Sequence, residues 1–322
     1  MSIDAEAIAD RRRLRRKLTF WRVVGVVALI AAVLGLGALM ANRAGVPMGQ
    51  DHVARINVKG FISGDPKVAE VFERVGKSRS VSGVVVAVNS PGGTTTGAEE
   101  LFRNIRRLAE KKPVVAFVDG TAASGGYIAA LAADRIVARE TSLVGSVGVI
   151  LQYPQFSELL DKIGVDVEEV KSSPLKAEPS GFKPTSPEAR AALQQVVNDT
   201  YEWFKGLVAA RRNYGPDELA TVADGRVFNG RQALALKLVD ELGGEREAIA
   251  WLEREKGVEK DLPVREWEPR GDRDFSLFAW AALGADLFGF DDMAGRLRRM
   301  GMTASISQLD GLLAVWHPSA EK

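Results

Sequence analysis

Ser124 is the residue of this chain best placed for covalent chemistry. It lies in Asp119-Gly-Thr-Ala-Ala-Ser124-Gly-Gly-Tyr127, after the apolar run Pro113-Val-Val-Ala-Phe-Val118 and before Tyr127-Ile-Ala-Ala-Leu-Ala-Ala133. The pattern predicts a strand that hands over to a helix through a tight turn of small residues. Such a turn presents one hydroxyl and lets a substrate backbone approach closely. It also sets a helix N-terminus beside developing negative charge. The plainer reading is a small side chain packing a strand–helix turn.

A serine hydroxyl is a weak nucleophile near neutral pH and needs a base. Histidine is the usual one. This chain has two, His52 and His317, near its two ends, and no cysteine. Neither histidine is well placed for a Ser-His-Asp triad, and a zinc site of the common nitrogen and sulfur type lacks its ligands. A lysine is the remaining base, and it must be neutral to act. The best candidate is Lys176, in Lys171-Ser-Ser-Pro-Leu-Lys176-Ala-Glu-Pro-Ser180, where Pro174, Leu175 and Ala177 are apolar neighbours. Glu178 is close enough in sequence to hold the same amine protonated instead.

A second glycine-rich stretch, Asn89-Ser-Pro-Gly-Gly93, follows the β-branched run Val81 to Val88. In a parallel sheet, sites form beyond the carboxyl ends of neighbouring strands. The amides of Gly92 and Gly93 could there donate to a tetrahedral oxyanion. One such donor is worth roughly 100- to 1000-fold in rate. The competing reading is a structural turn. No phosphate-binding Gly-x-x-x-x-Gly-Lys-[Ser/Thr] motif occurs.

The elements that must hold these residues alternate. Strands are expected at 53–58, 81–88, 114–118, 135–138 and 165–170. Helices are expected from Asp65-Pro66 to about Val75, through Leu101, Ile105 and Leu108, at 127–133, at 155–163 and from Ser186-Pro187 to about Arg212, while 231–238 and 245–256 complete the regular part. Residues 141–150 read as a turn feeding more strand, and 172–186 as a Pro/Ser-rich loop. Alternating strands and helices imply an α/β fold with a parallel sheet and crossover helices.

Charge is local rather than global. The formal net charge of the 322 residues is +1, which gives no bulk field for nucleic acid. Residues 11–17 carry six cations in seven positions, and the run Val23 to Ala41 then has no charge in 19 residues. A bilayer core takes about 20 apolar residues, and cations before the span predict a cytoplasmic N-terminus. A cleavable signal peptide would have an apolar core of about 7 to 15 residues and a small-x-small site. The run is longer, and Leu39-Met-Ala-Asn-Arg43 is a poor cleavage site. An uncleaved anchor is therefore expected. The organisation reads as a basic tail (1–19), a transmembrane anchor (20–41), a linker (42–51), a peptidase domain (52–256) and a helical C-terminal extension (257–322). The apolar stretch 275–283 in that extension is too short to span again.

Taken together, Val84-Val-Val-Ala-Val-Asn-Ser-Pro-Gly-Gly93, Asp119 to Tyr127, Thr141-Ser-Leu-Val-Gly-Ser-Val-Gly-Val149, Lys171 to Lys176 and Ala223-Asp-Gly-Arg-Val-Phe-Asn-Gly-Arg-Gln-Ala233 resemble the signal peptide peptidase A family in its short bacterial form. The resemblance covers about residues 53–256. It implies the ClpP/crotonase fold, preceded here by the one transmembrane helix, and a membrane-bound serine endopeptidase that degrades released signal peptides with a Ser-Lys dyad. On that resemblance Ser124 is the nucleophile, Lys176 the general base, Ser146 the serine that hydrogen-bonds the lysine amine, and the Gly92 and Gly93 amides the oxyanion hole. It also implies a ring of identical subunits in which a neighbour supplies the lysine, a site in the bacterial inner membrane with the catalytic domain outside the cytoplasm, and no cofactor. Partners would be apolar peptides and the lipid bilayer, with no nucleic acid. The rival readings are another membrane quality-control protease of the same fold, a crotonase-type acyl-CoA enzyme, and a catalytically dead scaffold.

Overall fold

The computed structural model describes residues 50–269, residues 313–315, and the helical residues Lys17, Phe20, Trp21, Val24 and Gly25. The chain divides into two units, Met1–Gln50 and Asp51–Lys322. In the first, Phe20 and Trp21 meet edge to face at 5.9 Å, and both are exposed. Most of the expected span 20–41 lies outside the described residues. Among the described residues, no helix is long and apolar enough to cross a membrane.

In the second unit the elements run β1 (His52–Ile62), α1 (Pro66–Lys77), β2 (Val81–Thr94), α2 (Thr95–Ala109), β3 (Val114–Ala123), α3 (Gly125–Leu131), β4 (Arg135–Ala138), β5 (Leu143–Gly145) and α4 (Ser157–Ile163). They continue with α5 (Pro187–Arg212), α6 (Pro216–Val222), β6 (Val227–Asn229), α7 (Gly230–Ala235), β7 (Glu241–Leu242), α8 (Glu245–Lys256), β8 (Val264–Glu266) and β9 (Leu313–Val315). The sheet order is β6-β5-β3-β2-β1-β8, with β4 also on β3, β7 on β4 and β9 on β2. Most pairs are parallel, and β5–β6 and β2–β9 are antiparallel.

The all-apolar strands are explained by burial on both faces, as parallel sheets require. Alternate residues Val84, Val86, Val88, Ala116 and Val118 pack with Ile105, Leu108 and Ile128 on one side. Val85, Ala87, Val115 and Phe117 face Ala248, Trp251 and Leu252 of α8 on the other. Helix ends follow the expected capping chemistry. The Asp65 side chain accepts from the Lys67 amide at 2.9 Å with Pro66 opening α1. The Ser186 side chain accepts from Ala189 at 3.1 Å with Pro187 opening α5. Asn213 and Gly257, both left-handed, end α5 and α8.

Three expectations are corrected. Residues 165–170 form no strand: Val165 and Val170 are exposed, and among the described residues the segment pairs with no sheet edge. The Asn89–Gly93 stretch is not a turn after β2 but part of it, paired to β1 at Phe61↔Gly92 and Ile62↔Gly93 after a bulge. The extension beyond residue 256 joins the sheet through β8 and β9, and Val258 is buried against the α8 side of the sheet. Its residues 270–312, including the apolar stretch 275–283, lie outside the described ones.

Helix α3 is the element that carries the serine turn, and all its residues are buried. Its anchor is Tyr127, whose hydroxyl donates to the Leu238 carbonyl at 2.8 Å. Burial pushes this phenol well above its ordinary pKa, so it stays a neutral donor. Tyr127→Phe leaves a buried carbonyl unpaired and should cost about 1–3 kcal/mol, read as a lower denaturant midpoint with an unchanged slope.

Candidate active site

Three strands converge on Ser124. Register pairs Ser90 with Ala122 across β2–β3 and Ala123 with Gly145 across β3–β5. Ser124 and Ser146 each directly follow a member of the second pair, so their turns stand side by side. The Ser124 amide donates to the Gly145 carbonyl at 2.8 Å, and the Ser146 amide donates to the Arg226 carbonyl at 2.8 Å. The Ser124 carbonyl accepts from Tyr127 and Ile128, which starts α3.

Both serines adopt a positive φ of 53°, a region that residues with a β-carbon rarely occupy. For Ser124 (ψ −117°) the strain is of order 1–3 kcal/mol, held by the hydrogen bonds on either side. Ser124 is fully buried, and its hydroxyl has no hydrogen-bond partner among the described residues. A buried, unpaired hydroxyl on a strained turn is unfavourable for folding. That makes it a candidate for chemistry rather than for packing alone.

The glycines around the turn are fixed by close approach. A β-carbon on Gly93 would fall 1.9 Å from the Ile62 carbonyl oxygen, and one on Gly126 would fall 2.5 Å from the Ser90 carbonyl oxygen. The first lets β1 lie flat against β2, and the second lets the first turn of α3 sit against β2. Beyond Ser90, β3 peels away to form the serine turn, and the side of β2 it leaves is taken by β9. There Gly92, Gly93 and Thr94 pair antiparallel with Val315, Ala314 and Leu313.

Sequence reasoning missed Ser90. Its buried hydroxyl donates to the Gly60 carbonyl at 2.6 Å and accepts from the Gly92 amide at 3.1 Å. The Gly92 amide is therefore engaged rather than free for a ligand. The Ser-Pro-Gly-Gly string names the residue, but only the β1–β2 register shows what it holds.

Lys176 makes no hydrogen bond to Ser124 within one chain. It sits exposed in the loop between α4 and α5, and among the described residues its amine has no hydrogen-bond or ion-pair partner. Glu178, the rival partner raised by the sequence, instead accepts from the Lys171 ammonium at 2.6 Å.

A strained serine at a strand–helix turn, set at the carboxyl end of a largely parallel α/β sheet, is the arrangement of a serine hydrolase. Residues 106–259 match Peptidase family S49. A Methanocaldococcus jannaschii protein named "putative protease" is 35% identical over 69% of this chain and 73% of its own. A Synechocystis protein of the same description is 37% identical over 65% of this chain and 76% of its own. An Enterococcus faecium protein named "putative signal peptide peptidase SppA" is 34% identical over 66% and 61%. The chain belongs to peptidase family S49 and is a serine-type peptidase related to signal peptide peptidase A.

Ser90→Ala would strand the Gly60 carbonyl and the Gly92 amide together. The expected cost is about 1–3 kcal/mol, seen as a fall of several degrees in the thermal midpoint of the purified chain.

Proposed function

We propose that this chain is a membrane-anchored serine endopeptidase that degrades cleaved signal peptides, with Ser124 as nucleophile and Lys176 as general base. The observation that carries the reading is the buried, unpartnered Ser124 hydroxyl, held strained beside the Ser146 turn. Neutral Lys176 takes the hydroxyl proton as the oxygen attacks the scissile carbonyl, and the resulting ammonium returns it to the leaving amine. Ser146 accepts a hydrogen bond from the lysine amine and aims its lone pair at Ser124.

Because Ser90 holds the Gly92 amide, the oxyanion reading keeps Gly93 and moves the second donor elsewhere. The amides of Gly125 and Gly126 open α3, where helical N–H groups have no partner within the helix. They follow the nucleophile directly and supply that contact.

The substrate pairs as a strand in the place that β9 holds. The side of β2 at Gly92–Thr94 already accepts the three-residue β9 antiparallel, and main-chain pairing of this kind suits an extended apolar peptide. A tether through residues 20–41, with the N-terminus cytoplasmic and the peptidase domain outside, keeps the site near peptides left in the membrane and raises their effective concentration.

The lysine comes from a neighbouring subunit of a ring. Two observations support this: no described residue partners the Ser124 hydroxyl within one chain, and large exposed apolar side chains recur along the stretch of chain that runs from residue 150 through α4 to the loop of Lys176. Ile150, Phe156, Leu159, Ile163, Val170 and Leu175 are each more than two-fifths exposed. Apolar surface of this kind is what a subunit interface covers.

Ser124→Ala and Lys176→Ala should each lower kcat for a fluorogenic signal-peptide mimic by at least about 1000-fold while the chain still folds and assembles. Mixing the two inactive variants should restore part of the activity if the dyad is shared between subunits; no recovery in mixed rings would place both groups in one chain. In sealed inverted vesicles, protease added from the cytoplasmic side should leave the peptidase domain intact. Its digestion there would reverse the topology.

A further inference from the structure

The loop that carries Lys176 holds a compact charge cluster. The Lys171 ammonium lies 2.6 Å from Glu178 and 2.9 Å from Glu169, and Lys183 lies 4.0 Å from Glu169. The three nearest members are largely shielded: their side chains are 15% to 22% exposed. Among the described residues, no charged side chain from another element pairs with any of the four. The cluster is balanced, with two cations against two carboxylates. Lys176 stands outside it, although Glu178 is only two residues away and Ala177 between them turns the chain with a φ of 61°.

This balance bears on catalysis, and the point rests on the reading of Lys176 as the base. A lysine acts as a base only when neutral, and a free carboxylate nearby holds it as ammonium. Glu178 is the nearest carboxylate in sequence to Lys176. We propose that Lys171 is a positioning residue for the peptidase reaction: it captures the Glu178 carboxylate and so leaves the Lys176 amine free to work unprotonated.

The direction of both ionisations agrees with the geometry. The hydrogen bond from Lys171 lowers the Glu178 carboxyl, and the hydrogen bonds to Glu178 and then Glu169 raise the Lys171 ammonium. Glu178 also feels Lys183 and accepts from the Ser180 backbone. Lys171, Glu178 and Lys176 are carried on the same loop. The capture therefore travels with the amine whichever subunit's Ser124 it serves.

The alternative is that the Lys171–Glu178 pair is a loop staple with no influence on the base. The two roles separate in the dependence of kcat/KM on pH, measured with the full-length chain in detergent and a fluorogenic signal-peptide mimic. Lys171→Met frees Glu178 while Glu169 keeps Lys183. The added negative charge favours protonated Lys176, so the acid limb should move up by about half a unit to one unit. Below the limb that is a loss of about 3- to 10-fold, with the high-pH plateau retained.

The double variant K171M/E178Q removes the staple and the stray carboxylate together. It should return the limb to its original place, and Lys171→Arg should never displace it. An unshifted limb in Lys171→Met would overturn the proposal. So would an equal loss of plateau activity in the single and double variants, which is the signature of a staple. Lys176→Ala, run alongside, separates the two levels: retained turnover there removes Lys176 as the base, whereas a dead Lys176→Ala with an unshifted Lys171→Met removes only the role of Lys171.

Discussion

The hydrogen bond from the Ser124 amide to the Gly145 carbonyl is the constraint on which the site depends. It is the last rung between β3 and β5, and it fixes the backbone at the point where β3 stops being a strand and α3 begins. With the Ser124 carbonyl tied to the first turn of α3, the residue is held on both sides in a conformation it would not choose. Everything else serves that clamp. The two-sided core makes β2 and β3 rigid, Tyr127 pins α3, and the absent side chains of Gly93 and Gly126 let β1, β2 and α3 close to backbone contact.

Much of this was legible in the sequence because the relevant signals are local. Val84–Val88 and Val114–Val118 read as strands because burial on both faces leaves no room for polar residues. Asp65-Pro66 and Ser186-Pro187 read as helix starts because capping needs only neighbouring atoms. The serine turn read correctly because strand, small residues and apolar helix follow one another without a gap.

What failed depends on partners distant in the chain. Nothing in Val165–Val170 says that no sheet edge will be offered to it, so its valines pointed to a strand that does not form. The role of Ser90 is invisible without the β1–β2 register, because its hydroxyl bridges residues on two strands. Short β8 and β9 carry little pattern of their own and exist because β1 and β2 have open sides. The surroundings of Lys176 were the hardest to read. Its apolar neighbours suggested burial, yet the loop is exposed in a single chain, and the competing carboxylate is disarmed by a lysine five residues upstream of Lys176. Among the described residues nothing pairs with the exposed amine.

The backbone conformation of Ser124 also sets what mutation and selection do at this position. Glycine adopts a φ of 53° without penalty and carries no hydroxyl to bury. The most relaxed occupant of the turn is thus one that cannot perform chemistry. A library of variants ranked by thermal resistance alone would drift toward inert proteins here, and a gene copy released from its duty would lose the serine early. Folding by itself gives no reason to prefer a serine over a glycine at this position.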